Sequence, residues 1–240
     1  MSPPGWREQV DRLLREATVN RERGDALRRI GDGDQSRKSY LVGVSALDRA
    51  IAILSDREWN HLSEFENTAT LPPDQQQLAS ELVEAWGARG GLLRRAENAH
   101  AALESYSAGA QLEKYFVPSS TYNRTNAIKY ALLTGSRQLN EVKPEIDDLQ
   151  TLLTDQLSGD GGQSDSGWSW ADLGDTRALL GDVAGAERAY RTFVEKAASN
   201  APNSTLDVLA SILLKLEENQ DPAVDSVRQS LVALKERLAP

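Results

Sequence analysis

Two stretches of this chain carry the same residue types at the same spacing. Trp86 and Gly90 are followed by Ala102 and Tyr106, and Trp170 and Gly174 are followed by Ala186 and Tyr190. The step from glycine to alanine is twelve residues in both. Such a period constrains the fold more than any composition does, because it describes a supersecondary unit used more than once. Small residues let two helices of a hairpin approach closely, and the tyrosine fills the gap towards a neighbour. One hairpin cannot bury its own apolar face, so units of this kind must stack. The copies differ: Arg89 stands where the second copy has Leu173, and Glu97 where it has the turn residue Gly181. Trp86, Trp170, Tyr106 and Tyr190 are expected to be packing residues.

Helical periodicity runs through the rest of the chain. Trp6, Val10, Leu13 and Ala17 share a face, as do Leu41, Val44, Leu47, Ile51 and Leu54. The same steps of three and four recur in Val142, Ile146, Leu149 and Leu153, in Leu206, Leu209, Leu213 and Leu216, and in Val224, Val227, Leu231, Leu234 and Leu238. Each set predicts an amphipathic helix with one buried stripe. Period-two runs of β-branched residues are missing, so no strand is expected. Breaks fall at Leu71-Pro72-Pro73-Asp74, at Val117-Pro118-Ser119-Ser120-Thr121, at the glycine-rich Ser158–Gly167 and at Asn200–Ser204. The second break reads as a helix start capped by Ser or Thr, and the third as a flexible loop. The charged stretch Arg21–Lys38 reads as solvated helix ends and a loop. These breaks predict hairpins at about 74–116, 121–157, 167–198 and 204–238, the last a degenerate cap. They lie in a repeat region over 71–240, after an N-terminal helical pair in 1–70 with no clear motif, and the two are expected to form one continuous domain.

The Trp-x2-Leu-Gly and Ala-x3-Tyr halves resemble the tetratricopeptide pattern. Residues 170–190 follow it closely, departing mainly at Arg177, where an aromatic is usual. The implied fold is all-α, with tetratricopeptide-like hairpins stacked in a short right-handed solenoid. A finer resemblance covers about residues 80–200. TYNRTNAIKYALLTG, then an amphipathic helix, then WSWADLGDTRALLGDVAGAERAYRTFVEKA is similar to the tetratricopeptide sensor-type domain. That domain, called TRAF-binding, occurs in the central regulatory region of apoptosis-signal-regulating MAP kinase kinase kinases and in bacterial stress-response and immunity-type proteins. Tyr122, Asn126, Ala127 and Gly135 occupy its motif places, whereas Asn123-Arg124 replaces a glycine often found there. The resemblance implies a regulatory, non-catalytic module that binds a partner protein or a nucleotide-derived signal.

Charge and residue inventory narrow the functions. Lys plus Arg number 27 and Asp plus Glu 36, a net charge of −9. An acidic chain is poorly suited to bind nucleic acid or anionic membranes, which need clustered cations. With no cysteine, disulfides, cysteine zinc sites and thiol catalysis are excluded. His61 and His100 have no triad partners suggested by spacing. Gly87, Gly90 and Gly91 lie inside a predicted helix without a preceding strand, unlike a phosphate loop. Asp160 and Asp165 lack calcium-loop spacing. No catalytic residue, metal site or cofactor is therefore expected. Without an apolar leader or a membrane-length apolar run, the chain reads as cytoplasmic.

In a stack of hairpins the first helix of each unit lines the concave side. Its exposed positions are the candidate contacts: Arg94 in the first motif, Tyr122, Asn126 and Lys129 in the middle hairpin, and Trp168, Asp172 and Asp175 in the last. Asn126 suits an amide or base edge. Lys129 and Arg94 suit a phosphate or carboxylate, and Tyr122 and Trp168 suit stacking on a ring or side chain. Two functions follow from these residues: a scaffold holding a protein or peptide, and a sensor of a nucleotide-derived ligand.

Overall fold

The computed structural model describes residues 5–62, 72–158, 167–196 and 201–238. Among them are ten helices and no strand: α1 (Gly5–Arg29), α2 (Gly33–Leu62), α3 (Pro73–Arg95), α4 (Ala99–Phe116), α5 (Tyr122–Thr134), α6 (Leu139–Ser158), α7 (Gly167–Leu180), α8 (Val183–Lys196), α9 (Ala201–Glu218) and α10 (Val224–Leu238). The protein is all-α and tetratricopeptide-like, as the repeated spacing predicts. Residues 159–166, the core of the expected glycine-rich loop, lie outside the described residues, as do Leu71 and Asn200. Ala201–Ser204, expected within a break, form the first turn of α9. Arg21–Lys38 is helix almost throughout, with only residues 30–32 between α1 and α2. Its charges therefore ride on the end of α1 and the start of α2, on either side of a three-residue connection.

Local chemistry explains the hairpins. Five helix pairs are joined by turns that close in the same way. The N–H of Gly31, Glu97, Gly135, Gly181 or Gln220 donates to the carbonyl three residues back, and the next N–H donates to the carbonyl five back. This closure needs a residue with positive φ. At Gly181 φ is 89°, which costs glycine nothing, whereas Glu97 holds 62° against a side-chain penalty of about 1 kcal/mol. Three of the turns then start the next helix with an acceptor cap. Asp32, Asn98 and Asp182 each accept from the backbone N–H three residues on, at 3.1, 3.2 and 2.8 Å.

The chain divides into two compact units, Met1–Ala127 and Ile128–Pro240, with the boundary inside α5. In the first unit α1 and α3 are tied by Arg7–Glu81 at one end and Arg95–Asp25 at the other, which sets the two helices parallel. Its core combines Val10 and Leu13 of α1, Val44, Leu47, Ile51 and Leu54 of α2, Leu78, Leu82 and Leu92 of α3, and Leu112 of α4. The buried stripe of α2 begins at Tyr40. Leu41, expected on that stripe, is exposed.

This unit also contains a repeat that its sequence disguises. Gly24, Ser36 and Tyr40 stand at the twelve- and sixteen-residue offsets of Gly90, Ala102 and Tyr106. A Cβ added at Gly90 would lie 2.6 Å from the Tyr106 ring, and the Tyr40 ring crowds Gly24 more closely still. Ser36 donates its hydroxyl proton to the Gly24 carbonyl at 2.9 Å, so the polar substitute for alanine is satisfied. The α1–α2 hairpin, expected to lack a motif, is thus built on the same register.

The start of α5 corrects another expectation. Its cap is not a local Ser or Thr but Glu113 of α4. That carboxylate is fully buried and accepts from the N–H groups of Asn123 at 3.1 Å and Arg124 at 2.9 Å and from the Ser120 hydroxyl at 2.6 Å. A carboxylate at a helix N-terminus is favoured by both the exposed N–H groups and the helix dipole. Glu113→Gln keeps one acceptor oxygen but turns an amide against a backbone donor. It should cost about 2 kcal/mol, read from a chemical-unfolding midpoint.

In the second unit the end of α5 packs with α6, α7, α9 and α10 through Ile128, Leu132, Val142, Ile146, Leu179, Ile212 and Val227. Ala178, Ala186, Tyr190, Leu209 and Leu234 extend the packing across α7 to α10. The Ser226 hydroxyl donates to the Ala178 carbonyl at 2.6 Å, which pins α10 to α7. The expected terminal hairpin, α9–α10, is therefore bound into this core.

Candidate functional site

The candidate residues divide between the units. Arg94, Tyr122 and Asn126 belong to the first, and Lys129, Trp168, Asp172 and Asp175 to the second.

In the first unit Tyr122 lies over a face of α3 paved with glycine. A Cβ at Gly87 would meet its ring at 2.9 Å, and one at Gly91 would lie 3.7 Å from its hydroxyl. The ring meets Tyr106 edge-on, with centroids 6.0 Å apart and planes at 77°. This packing fixes its direction, yet 46 % of the residue remains exposed. Asn126 donates its amide to the Tyr122 carbonyl one turn back at 2.8 Å. Arg94 is partly buried in the last turn of α3, beside Arg95. Asn123, which the sequence reading treated only as a departure from a motif, is buried. It donates to the Val83 carbonyl at 3.1 Å, and its amide group covers Gly109.

In the second unit three candidates are not on an exposed face. Lys129, Asp172 and Asp175 are buried and bind one another. The Lys129 ammonium donates to Asp172 Oδ1 at 2.7 Å and also contacts Asp175. Asp175 in turn accepts from the Tyr190 hydroxyl at 2.8 Å. Burial alone would push the Lys129 ammonium down, but the two carboxylates outweigh it and hold the group above its ordinary value. Burial and the adjacent Asp175 carboxylate push the Tyr190 hydroxyl up. Lys129 is therefore a fully engaged cation, and its expected role as a phosphate contact meets this geometry as an obstacle. The helices explain the misplacement. α7 buries Ala171, Asp172, Leu173, Gly174, Asp175, Thr176, Ala178 and Leu179 around most of its circumference, so a 3.6-residue period cannot separate an inner from an outer face.

Trp168, in contrast, is 46 % exposed at the start of α7. Its ring rests on the buried Phe193 of α8, with centroids 5.7 Å apart. His100 is exposed in the first turn of α4, and the side chain of His61 lies outside the described residues. Among the described residues no group of His, Cys, Asp and Glu is arranged to hold a metal ion, and no helix is long and apolar enough to cross a membrane.

A recurring glycine-under-tyrosine contact, shared turn closure and two half-exposed aromatics define a tetratricopeptide-like helical-repeat protein with a repeat register in at least three of its hairpins. No family model matches the sequence, and neither does any curated protein. Among solved structures, the crystal structure of MamA protein is similar over 92 % of this chain and 93 % of that one. The identity is 15 % and the TM-score 0.22, a likeness too slight to bear on function.

Proposed function

We propose that this chain is a non-catalytic binding module for a protein or peptide partner, acting in stress or immunity-type signalling. The observation that carries the reading is Tyr122, a rigid aromatic held half-open by its own packing. Such residues lose little conformational entropy on binding and are favoured as interface anchors. Trp168 offers a second aromatic of the same kind on the other unit. The titratable groups that chemistry would need support the same reading, since Lys129, Asp172, Asp175 and Tyr190 are consumed by one another. That engagement also argues against the nucleotide-derived ligand, whose phosphate would compete with two carboxylates for Lys129. The negative net charge argues against nucleic acid and anionic membranes. The signalling context rests on the sensor-domain resemblance alone, and a cytoplasmic location is proposed with it.

A displayed library of short random peptides, selected against the whole chain, tests the reading. Tyr122→Ala should weaken the selected peptides at least about tenfold in a chain that still folds, with the unfolding midpoint lowered by the loss of the ring's packing on Tyr106. Recovery of no peptide, together with a rise in melting temperature on adding nucleotides, would instead establish the sensor.

A further inference from the structure

One stripe of α1 in the first unit carries cations that the protein itself does not use. At its centre is Asp25, which accepts from the Tyr40 hydroxyl at 2.7 Å and pairs with Arg95 Nε at 3.3 Å. Arg21 stands one turn before it and Arg28 one turn after. Seven residues bring an α-helix back to within about 20°, so the two arginines share a face. Both are exposed, and among the described residues neither makes an ion pair or a side-chain hydrogen bond. The acid of the stripe is therefore consumed internally, and the cations beside it are not. Glu22 lies about 100° round the helix from Arg21, off this stripe.

Helix stability accounts for only one of the pair. A cation in the last turn offsets the macrodipole, an effect that fades beyond that turn. Because α1 ends at Arg29, this suits Arg28 but not Arg21, two turns inside. The repeat register gives the same contrast. Three residues before and four after the close-packing glycine, the third repeat has Ala171 and Ala178, both buried. The second has Gly87, covered by the Tyr122 ring, and Arg94. The first repeat alone of the three carries a cation at both places.

The stripe also adjoins the proposed anchor. Arg95, paired with Asp25, donates from Nη1 to the Gly91 carbonyl at 3.2 Å. A Cβ at Gly91 would lie 3.7 Å from the Tyr122 hydroxyl. One run of contacts within the first unit thus leads from the half-exposed Tyr122 across α3 to the α1 arginines. An extended peptide advances about 3.3 Å per residue, so a short segment spans that run. In a chain of net charge −9 a locally positive stripe steers acidic partners to one place.

We infer that the α1 face bearing Arg21 and Arg28 is a docking surface for an acidic peptide segment, which rests a bulky side chain on Tyr122 and pairs its Asp or Glu residues with the two arginines. Guanidinium and carboxylate groups match in two parallel hydrogen bonds, which favours this partner over a neutral one. The inference rests on the peptide-binding reading above and names the partner's chemistry.

Neutralising both arginines tests it. Arg21→Gln with Arg28→Gln removes two exposed, unpaired charges, so the unfolding midpoint should stay near wild type. Arg12→Gln with Arg15→Gln makes the same change of charge on the far side of α1, where both residues are also exposed. Peptides selected from the displayed library against the whole wild-type chain are measured by fluorescence anisotropy at low and high salt. The selected peptides should be rich in Asp and Glu and should bind more weakly as salt rises. Arg21→Gln with Arg28→Gln should lower their affinity at least about tenfold, and Arg12→Gln with Arg15→Gln less than about twofold. Equal losses in the two double variants would reduce the effect to net charge and overturn the surface. Peptides without acids, or peptides indifferent to the loss of Arg21 and Arg28, would overturn it and leave the binding module standing. Should that double variant not fold, the same peptides with Asp and Glu changed to Asn and Gln decide on the wild-type chain, where unchanged affinity overturns the surface. A library that yields no peptide at all would overturn both readings.

Discussion

Lys129→Met should destabilise the second unit by about 3–5 kcal/mol, seen as a lower urea midpoint with an unchanged slope. Methionine fills nearly the volume of the lysine stem, so the loss does not come from a cavity. It comes from leaving Asp172 and Asp175 buried together without a cation. The wild-type cluster holds one positive and two negative charges, and the ammonium is what makes the second carboxylate tolerable. A second change relieves the first: Lys129→Met with Asp175→Asn removes one of the stranded charges and should recover part of the loss. A shared network of this kind predicts non-additivity.

The pH dependence of that variant has a definite sign. Burial already raises the Asp175 carboxyl in the wild type, against the pull of Lys129. Removing the ammonium raises it further. A carboxyl whose folded-state value exceeds its unfolded value adds stability at low pH and loses it as pH rises through the folded value. The penalty of Lys129→Met should therefore be largest near pH 8 and shrink as the pH falls towards about 5. The wild-type lysine, held above its ordinary value, contributes stability that is present below about pH 10 and is lost only in strong alkali. Equal penalties at both pH values would show that the carboxylates are not what the lysine serves.

These buried charges also show where the sequence was legible and where it was not. Helix pairs and their turns could be read, because Pro72, Gly135 and Gly181 punctuate the chain and apolar steps of three and four are strong in α6 and α8. Gly90–Tyr106 and Gly174–Tyr190 announced the close packing of their hairpins. The first repeat escaped because Asn20 stands where the other two have tryptophan, and Ser36 replaces alanine. The step of sixteen from Gly24 to Tyr40, with Gly31-Asp32 at the turn, was signal enough to find it. The candidate site was less legible. Tyr122 and Trp168 are half-exposed, each in the first turn of a helix and each resting on one buried ring, Tyr106 or Phe193. Lys129, Asp172 and Asp175 sit on helices packed on several sides, where a charge at a regular interval means a buried partner as readily as solvent. The pairing of Asp175 with Tyr190 is foreshadowed by Asp25 and Tyr40, which share its spacing of fifteen residues.

Adjacent glycines on α3 should respond to alanine with opposite signs. At Gly90 a Cβ would enter the Tyr106 ring at 2.6 Å, a distance that real Cβ contacts do not reach. The ring is fully buried and cannot swing away, so the two helices of the hairpin must separate or the tyrosine must leave its rotamer. Such overpacking costs about 1–3 kcal/mol, and the better helix propensity of alanine recovers only about 1 kcal/mol of it. Gly174→Ala should cost at least as much, since the Tyr190 ring crowds it more tightly still and is tethered through its hydroxyl to Asp175. At Gly91 the three nearest atoms lie 3.5–3.9 Å from the same Cβ, and nothing has to move. Gly91→Ala should therefore raise stability by about 0.5–1 kcal/mol, since glycine in a helix interior loses more chain entropy than alanine. Thermal unfolding of Gly90→Ala, Gly91→Ala and Gly174→Ala beside the wild type reads all three. A Gly90→Ala variant as stable as the wild type would mean that the tyrosine is not seated on the glycine. The shared register would then lose the contact that explains why hairpins as different in sequence as α1–α2 and α7–α8 close in the same way.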